Sequence, residues 1–189
     1  ASVFRYQRDG ETIVTDNYVM PNLRSLPRFP AQALSAGDTW QLAALETMDF
    51  GPVKVRIPLN VAYELKGETD FPEDSGLSGK LDEIQYTYSF RKRITDPSLP
   101  FVMIVGHSFD RFWFDTEKGA PVFDTNRITY TFYMRDGRVT RMAYRIDSWW
   151  KKIKRAREED RKQIAEDTDK QIGDTPNLAV RETPEGIAI

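Results

Sequence analysis

The sequence predicts a mainly β chain, an antiparallel twisted sheet in the form of a half-barrel or sandwich, followed by one long charged C-terminal α-helix. Three observations predict it. Apolar and polar residues alternate from Val53 to Leu65, the period of a strand with one wet face. Asp9-Gly10 and Asp136-Gly137 each stand between apolar runs, where hairpins turn. After Ser148 the apolar spacing becomes helical and charges of both signs crowd in, as on a solvated helix. The expected organisation is an antiparallel β domain over 1–148, a helical spacer over 149–173, and a linker with the first strand of a further domain over 174–189.

Taken in order, Val3-Phe4-Arg5-Tyr6 and Thr12-Ile13-Val14 flank the first Asp-Gly and read as a hairpin. Pro21, Pro27 and Pro30 keep residues 20–38 irregular, because proline removes a ladder donor. Thr39 to Asp49 places Trp40, Leu42 and Ala44 on one face. Ala43 and Leu45 on the other leave strand and short helix both open. From Val53 to Leu65 the apolar face is Val53, Val55, Ile57, Leu59, Val61, Tyr63 and Leu65, opposite Lys54, Arg56, Asn60 and Glu64. Pro58 on the wet side marks an edge or a bulge. Gly67 to Gly79 reads as a polar loop.

Ile84, Tyr86, Tyr88 and Phe90 form the next alternating face. Phe101 to Asp115 is apolar on both faces, which predicts a central or covered strand. Glu117-Lys118-Gly119 turns the chain into Ile128, Tyr130, Phe132 and Met134, and Val139 to Ile146 returns. Asp147 or Ser148 is the expected helix N-cap. Trp149, Ile153, Ala156 and Ile164 form the helical stripe, with Glu158–Lys162 and Glu166–Lys170 pairs along it. Gly173 and Pro176 end it.

Composition removes whole classes of chemistry. With no cysteine, disulfides, thiolate metal sites and cysteine nucleophiles are excluded, and one histidine rules out a two-histidine metal site within the chain. Lysine plus arginine is 27 against 29 acids, a net charge of -2, so no basic field advertises nucleic acid. No apolar run approaches the roughly 20 residues of a membrane helix. No cofactor is expected. The opening Ala1-Ser2-Val3 fits a mature chain after signal-peptide removal.

Gly106-His107-Ser108-Phe109-Asp110 invites a hydrolase reading, but Asp110 stands where a nucleophile elbow needs its second glycine. Strand neighbours also point to opposite faces, so His107 cannot serve Ser108 as a base. His107 is expected as a strand histidine hydrogen-bonded in or beside the core. Asp110 and Asp115 bracket three aromatic residues, the parts of a glycosidase if their separation is right; acids near strand ends more often cap turns. Phe109, Phe112, Trp113, Phe114, Tyr130, Phe132 and Tyr133 exceed what one sheet face can hold. They either line a groove for a lipid, glycan or peptide or, the favoured expectation, pack under Trp149 and Trp150. The candidate ligand contacts are Phe112, Trp113, Phe114 and Tyr133; no catalytic or metal-binding residue is assigned. The basic run Lys151, Lys152, Lys154, Arg155 and Arg157 is followed by Glu158, Glu159 and Asp160, which cancel its field beyond a Debye length of about 8–10 Å.

The segment from Asn177 to Ile189 resembles the opening strand of OmpA-like peptidoglycan-binding domains, through Val180, Thr183, Glu185, Gly186, Ile187 and Ile189. The body, with Pro27-Arg28-Phe29-Pro30 and Gly37-Asp38-Thr39-Trp40, looks like a domain that precedes such modules in spirochaete envelope proteins. The resemblance implies a non-enzymatic periplasmic binding or scaffolding module of an OmpA-family outer-membrane or cell-envelope protein. Peptidoglycan would be bound by the domain that follows, whose binding residues fall on no position here, and the β domain would meet an envelope protein or a hydrophobic ligand. The residues themselves leave a second reading, a lipid- or hydrophobe-binding half-barrel, and a third, a carboxylate-dependent glycan-processing enzyme.

Overall fold

A computed structural model describes residues 4–7, 9–15, 18–117, 119–150, 181–183 and 186–188. The chain divides into two compact units, Ala1–Lys151 and Lys152–Ile189. In the first, β1 (Phe4–Tyr6) and β2 (Thr12–Val14) pair as the expected hairpin. Then follow β3 (Leu23–Arg24), β4 (Thr39–Asp49), β5 (Lys54–Asp70), a 3-10 turn (Glu73–Ser75), β6 (Lys80–Arg93), β7 (Phe101–Asp115), β8 (Ala120–Met134) and β9 (Val139–Trp149). β3 to β9 form one seven-stranded sheet in chain order, antiparallel throughout. In the second unit β10 (Arg181–Thr183) pairs with β11 (Gly186–Ala188).

The sheet is curled into a half-barrel; it is not a sandwich of two. The hydroxyl of Tyr130 on β8 donates to Oε1 of Glu46 on β4. Phe50, just past β4, meets Phe101 and Phe132 with ring centres 4.9 and 6.4 Å apart. In a flat sheet β4 and β8, four strand steps apart, would lie about 19 Å from each other.

The concave face carries the main core. Trp40 stacks on Tyr63 at 5.1 Å, and Ile57, Val61, Ile84, Tyr86, Ile104 and Phe112 are buried with them. Gly106 on β7 belongs to this face because a Cβ there would fall 2.2 Å from the Phe90 ring. Its missing side chain lets that ring reach Tyr130 across the strand, at 6.3 Å. β7 lies between β6 and β8, the central place that its double apolar pattern predicts; its concave side chains from Ile104 to Phe112 are buried, whereas its convex side is mostly half-buried and exposes His107. On the convex face Phe71, Trp113, Phe123 and Trp149 follow one another at 5.8, 5.5 and 5.3 Å. The turn after β5 folds against them, its Ser75 carbonyl accepting from Trp149 Nε1 at 3.0 Å.

Three expectations change. Thr39–Asp49 is a strand, which closes the helical alternative. Gly67 is not the start of a loop, because β5 continues to Asp70. The β5–β6 register slips between Leu65 and Gly67, so odd-numbered residues face the core before the slip and the convex face after it. Alternation is lost at a bulge although the strand goes on. Asp147, Ser148 and Trp149 are not a helix start; they pair with Thr125, Asp124 and Phe123. The cross-strand contact of Trp149 with Phe123 holds the end of β9 on the sheet. Pro58 fits its expected edge: it pairs with Leu45 in a stretch where β5 meets β4 alone, before the β6 pairing begins at Ala62. No α-helix occurs among the described residues. The rest of the helix expected over 149–173, its basic run, and Val180, Glu185 and Ile189 of the C-terminal pattern lie outside them.

One ion pair organises the convex face. Glu83 is 1% exposed. Arg111 donates to its two oxygens at 2.7 and 2.8 Å, Gln85 at 2.8 Å and Thr69 at 2.5 Å. Trp113 Nε1 donates to Thr69 Oγ1, and the guanidinium lies 4.6 Å over the Trp113 ring. Burial alone would raise the carboxyl's pKa, but Arg111, Thr69 and Gln85 outweigh it and hold Glu83 below its ordinary value. Arg111→Met leaves a buried charge unpaired and is expected to cost about 3–5 kcal/mol in urea unfolding. Glu83→Gln added to it is expected to recover a substantial part.

Candidate functional site

The curl leaves an open groove of about 600 Å³ between β4 and the β8–β9 hairpin. Met48 and Phe50 line one wall, Ile128, Tyr130, Phe132, Met142, Tyr144 and Ile146 the other, and Val19 and Met20 the rim. The period-2 spacing of β8 and β9 puts these side chains on one face: Ile128 is opposite Tyr144, and Tyr130 opposite Met142. Met20, Met142, Tyr144 and Ile146 are 42–56% exposed, a contiguous apolar surface of the kind that marks binding sites.

Beneath the groove runs a chain of buried polar groups. Glu46 is 1% exposed; Tyr130 donates to its Oε1, and its Oε2 has no partner among the described residues. The Tyr88 hydroxyl sits beside both Tyr130 and Ser108. Ser108 donates to Asp110 Oδ2 at 2.6 Å. Oδ1 of Asp110, of Asp124 and of Asn126 are likewise buried without a partner there. Burial raises the pKa of Glu46, which the Tyr130 hydrogen bond only partly opposes. Burial and the nearby Asp124 push Asp110 up to about 8 against the bond from Ser108. Asp124 is raised by burial to about 6. Desolvation raises Tyr130 and Tyr88 as well. The concave face therefore gathers acids and phenols whose ionisation burial opposes, and of the acids Asp110 is the one held protonated at neutral pH. Among the described residues, no group of three or more histidine, cysteine, aspartate or glutamate side chains is placed to hold a metal ion.

The sequence candidates fall elsewhere. Phe112 and Phe114 point to the concave face, and Trp113 and Tyr133 to the convex one, where Tyr133 is exposed. None of the four is among the described residues that line the groove. The aromatic set divides. Phe123 and Phe112 carry Trp149 and Trp150 at 5.3 and 6.0 Å, whereas Tyr130 and Phe132 line the groove. His107 is not in or beside the core; it is exposed on the convex face, paired in register with Ser89 and Thr129. Asp110 and Asp115 face opposite sides of β7. Five residues at about 3.3 Å each separate their backbones by roughly 17 Å, beyond the roughly 5–9.5 Å of glycosidase pairs.

Glu46, Ser108, Asp124 and Asn126 carry the polar chain and were not singled out as ligand contacts. Their signal is phase. Each polar residue occupies an apolar-face position: Glu46 with Trp40, Leu42 and Met48, Ser108 and Asp110 with Ile104 and Phe112, Asn126 with Ile128 and Phe132. A convex-face pocket of about 250 Å³ gathers Arg111, Arg127 and Arg145, but Arg111 is committed to Glu83 and Arg145 to Asp74 and Asp147. Comparison with protein families, curated proteins and solved structures finds no match.

Asp110 gives the concave face a pH signature. Its folded pKa of about 8 lies above the ordinary 3.8, so between those values the folded chain keeps a proton that the unfolded chain has released. Stability then falls as pH rises through that window. Asp110→Asn removes this dependence. Its stability relative to the parent is expected to rise from pH 4 to pH 8, by at most about 1.4 kcal/mol per pH unit, as read from urea midpoints; a constant difference would contradict the assignment.

Proposed function

We propose that the half-barrel is a non-catalytic module that binds a small hydrophobic ligand in the groove between β4 and the β8–β9 hairpin. The observation that carries it is the groove itself: about 600 Å³, within the roughly 300–1,000 Å³ typical of small-molecule sites, with apolar walls and a few polar groups at its base. Trp149 and Trp150, which would argue against a binding groove if they plugged it, pack instead on Phe123 and Phe112. The neutral probe N-phenyl-1-naphthylamine is expected to bind saturably, with one site per chain, by fluorescence titration. Met142→Glu places a charge in the apolar wall and is expected to weaken it at least about tenfold, or 1.4 kcal/mol. Absence of saturable binding, or equal binding by the variant, sinks the proposal.

The residue pattern from Val180 to Ile189 favours a second reading, of cellular context: a periplasmic, cell-envelope protein of the OmpA family, in which a following domain holds peptidoglycan. A chain continued past Ile189 is expected to sediment with purified peptidoglycan while residues 1–150 stay in solution. Equal sedimentation of both would remove this division of labour.

A further inference from the structure

We infer that the groove takes an organic cation, an aliphatic amine or quaternary ammonium on an apolar body, and that Glu46 is the residue that selects it. This rests on the hydrophobic-ligand reading above and adds the head group.

The first observation is an unused acceptor. Glu46 lines the groove at 1% exposure. Tyr130 occupies one carboxylate oxygen and fixes its direction, and Oε2 is buried without a partner among the described residues. A buried polar atom left unpaired is costly, and a donor carried in by a ligand would satisfy it. Burial discourages ionisation of Glu46; an ammonium supplies a counter-charge that favours it.

The second observation is the sign of the walls. Among the described lining residues the charged ones are Glu46 and Asp49, and none is lysine, arginine or histidine. A carboxylate or phosphate head group would meet two acids and no cation there. The buried acids Asp110 and Asp124 behind the floor add no positive charge either. Like charges repel, so the electrostatics of this lining disfavour an anionic amphiphile and favour a cationic one.

The third observation is aromatic. Phe50, Phe132, Tyr130 and Tyr144 form a continuous run along the groove, with successive ring centres 6.4, 6.4 and 6.2 Å apart. Their faces attract an ammonium group by cation–π interaction, and they pack equally well on a hydrocarbon body. An acid beside several rings recognises an organic cation, where an inorganic cation would need more oxygen ligands. We place the occupant as a free small molecule, because the walls, and not an extended surface, carry both the charge and the rings.

The test is calorimetric titration of the chain at neutral pH with dodecylamine, dodecyltrimethylammonium, dodecanol and dodecanoate, each below its micelle concentration. The two cations are expected to bind at least about tenfold tighter than the alcohol, and the carboxylate weakest. Glu46→Gln keeps an oxygen to accept from Tyr130 and is expected to bring dodecylamine down to the affinity of dodecanol while leaving dodecanol unchanged. Met142→Lys, which leaves Glu46 in place, is expected to lose the cations and gain dodecanoate, and it serves if the Glu46 variant does not fold. Equal binding of all four ligands, or tightest binding of dodecanoate, overturns the head-group inference and leaves the hydrophobic-ligand reading standing. No binding of any of the four overturns both.

Discussion

The curl that lets Tyr130 on β8 reach Glu46 on β4 is the constraint on which the rest of the molecule depends. A flat meander would have two equivalent faces, each wet or each covered. The curled one has a concave face that the segment around Arg28 and Phe29 covers at Trp40, Tyr63 and Phe114, and that stays open where β4 faces β8 and β9. Local devices hold the strand directions that make this work. The bulge after Leu65 turns the end of β5 so that Thr69 joins Glu83 on the convex side, and bulges increase local twist. Gly106 lets the Phe90 ring lie over β7 and touch Tyr130.

Much of this was legible in the sequence, and the parts that were not share a cause. The hairpin of β1 and β2, the long β5 face, the doubly apolar β7 and the turn at Asp136-Gly137 all follow from period-2 spacing and turn chemistry, which are local. What period cannot show is contact between strands remote in order. Nothing in the spacing of Glu46 says that Tyr130, 84 positions later, will donate to it. The end of β9 misleads for a similar reason. Asp147-Ser148 has the chemistry of a helix cap, but Trp149 gains a tilted ring contact with Phe123 and a hydrogen bond to the Ser75 carbonyl by staying in the strand. Those contacts and the ladder pairing with β8 outweigh a cap contribution of about 1 kcal/mol. Asp110 shows the limit most directly. As a sequence feature it was half of a carboxylate pair with Asp115, whereas in the fold its neighbours are Ser108 and Asp124, on the opposite face from Asp115.

The two faces treat buried acids in opposite ways, and the contrast bears on function. Glu83 and Glu46 are both 1% exposed. On the convex side Glu83 has a bidentate arginine and two further donors, and its pKa is lowered. On the concave side Glu46 has a single phenol, and its pKa is raised. The chain therefore contains the means to pair a buried carboxylate fully, and uses it where the acid acts as a cross-strand brace. Where the acid lines the groove, among the described residues no cation accompanies it. The shifts of Glu46, Asp110 and Asp124 arise from burial, hydroxyl bonds and neighbouring acids.

If the concave acids served packing alone, apolar residues of similar size would serve better, since an unpaired buried polar group lowers stability by roughly 1–3 kcal/mol. Five positions on one face, Glu46, Ser108, Asp110, Asp124 and Asn126, instead hold polar side chains, and four of them leave an oxygen unpartnered among the described residues. Stability given up at one place in a fold is the usual mark of a site kept ready for something else. The character of the deficit is informative too: the unpartnered atoms at those four positions are carboxyl and amide oxygens, able to accept, with the Tyr88 hydroxyl unpartnered beside them. A partner that satisfies this face has to bring donors or positive charge, and the groove whose floor is Glu46 is the opening through which it would arrive.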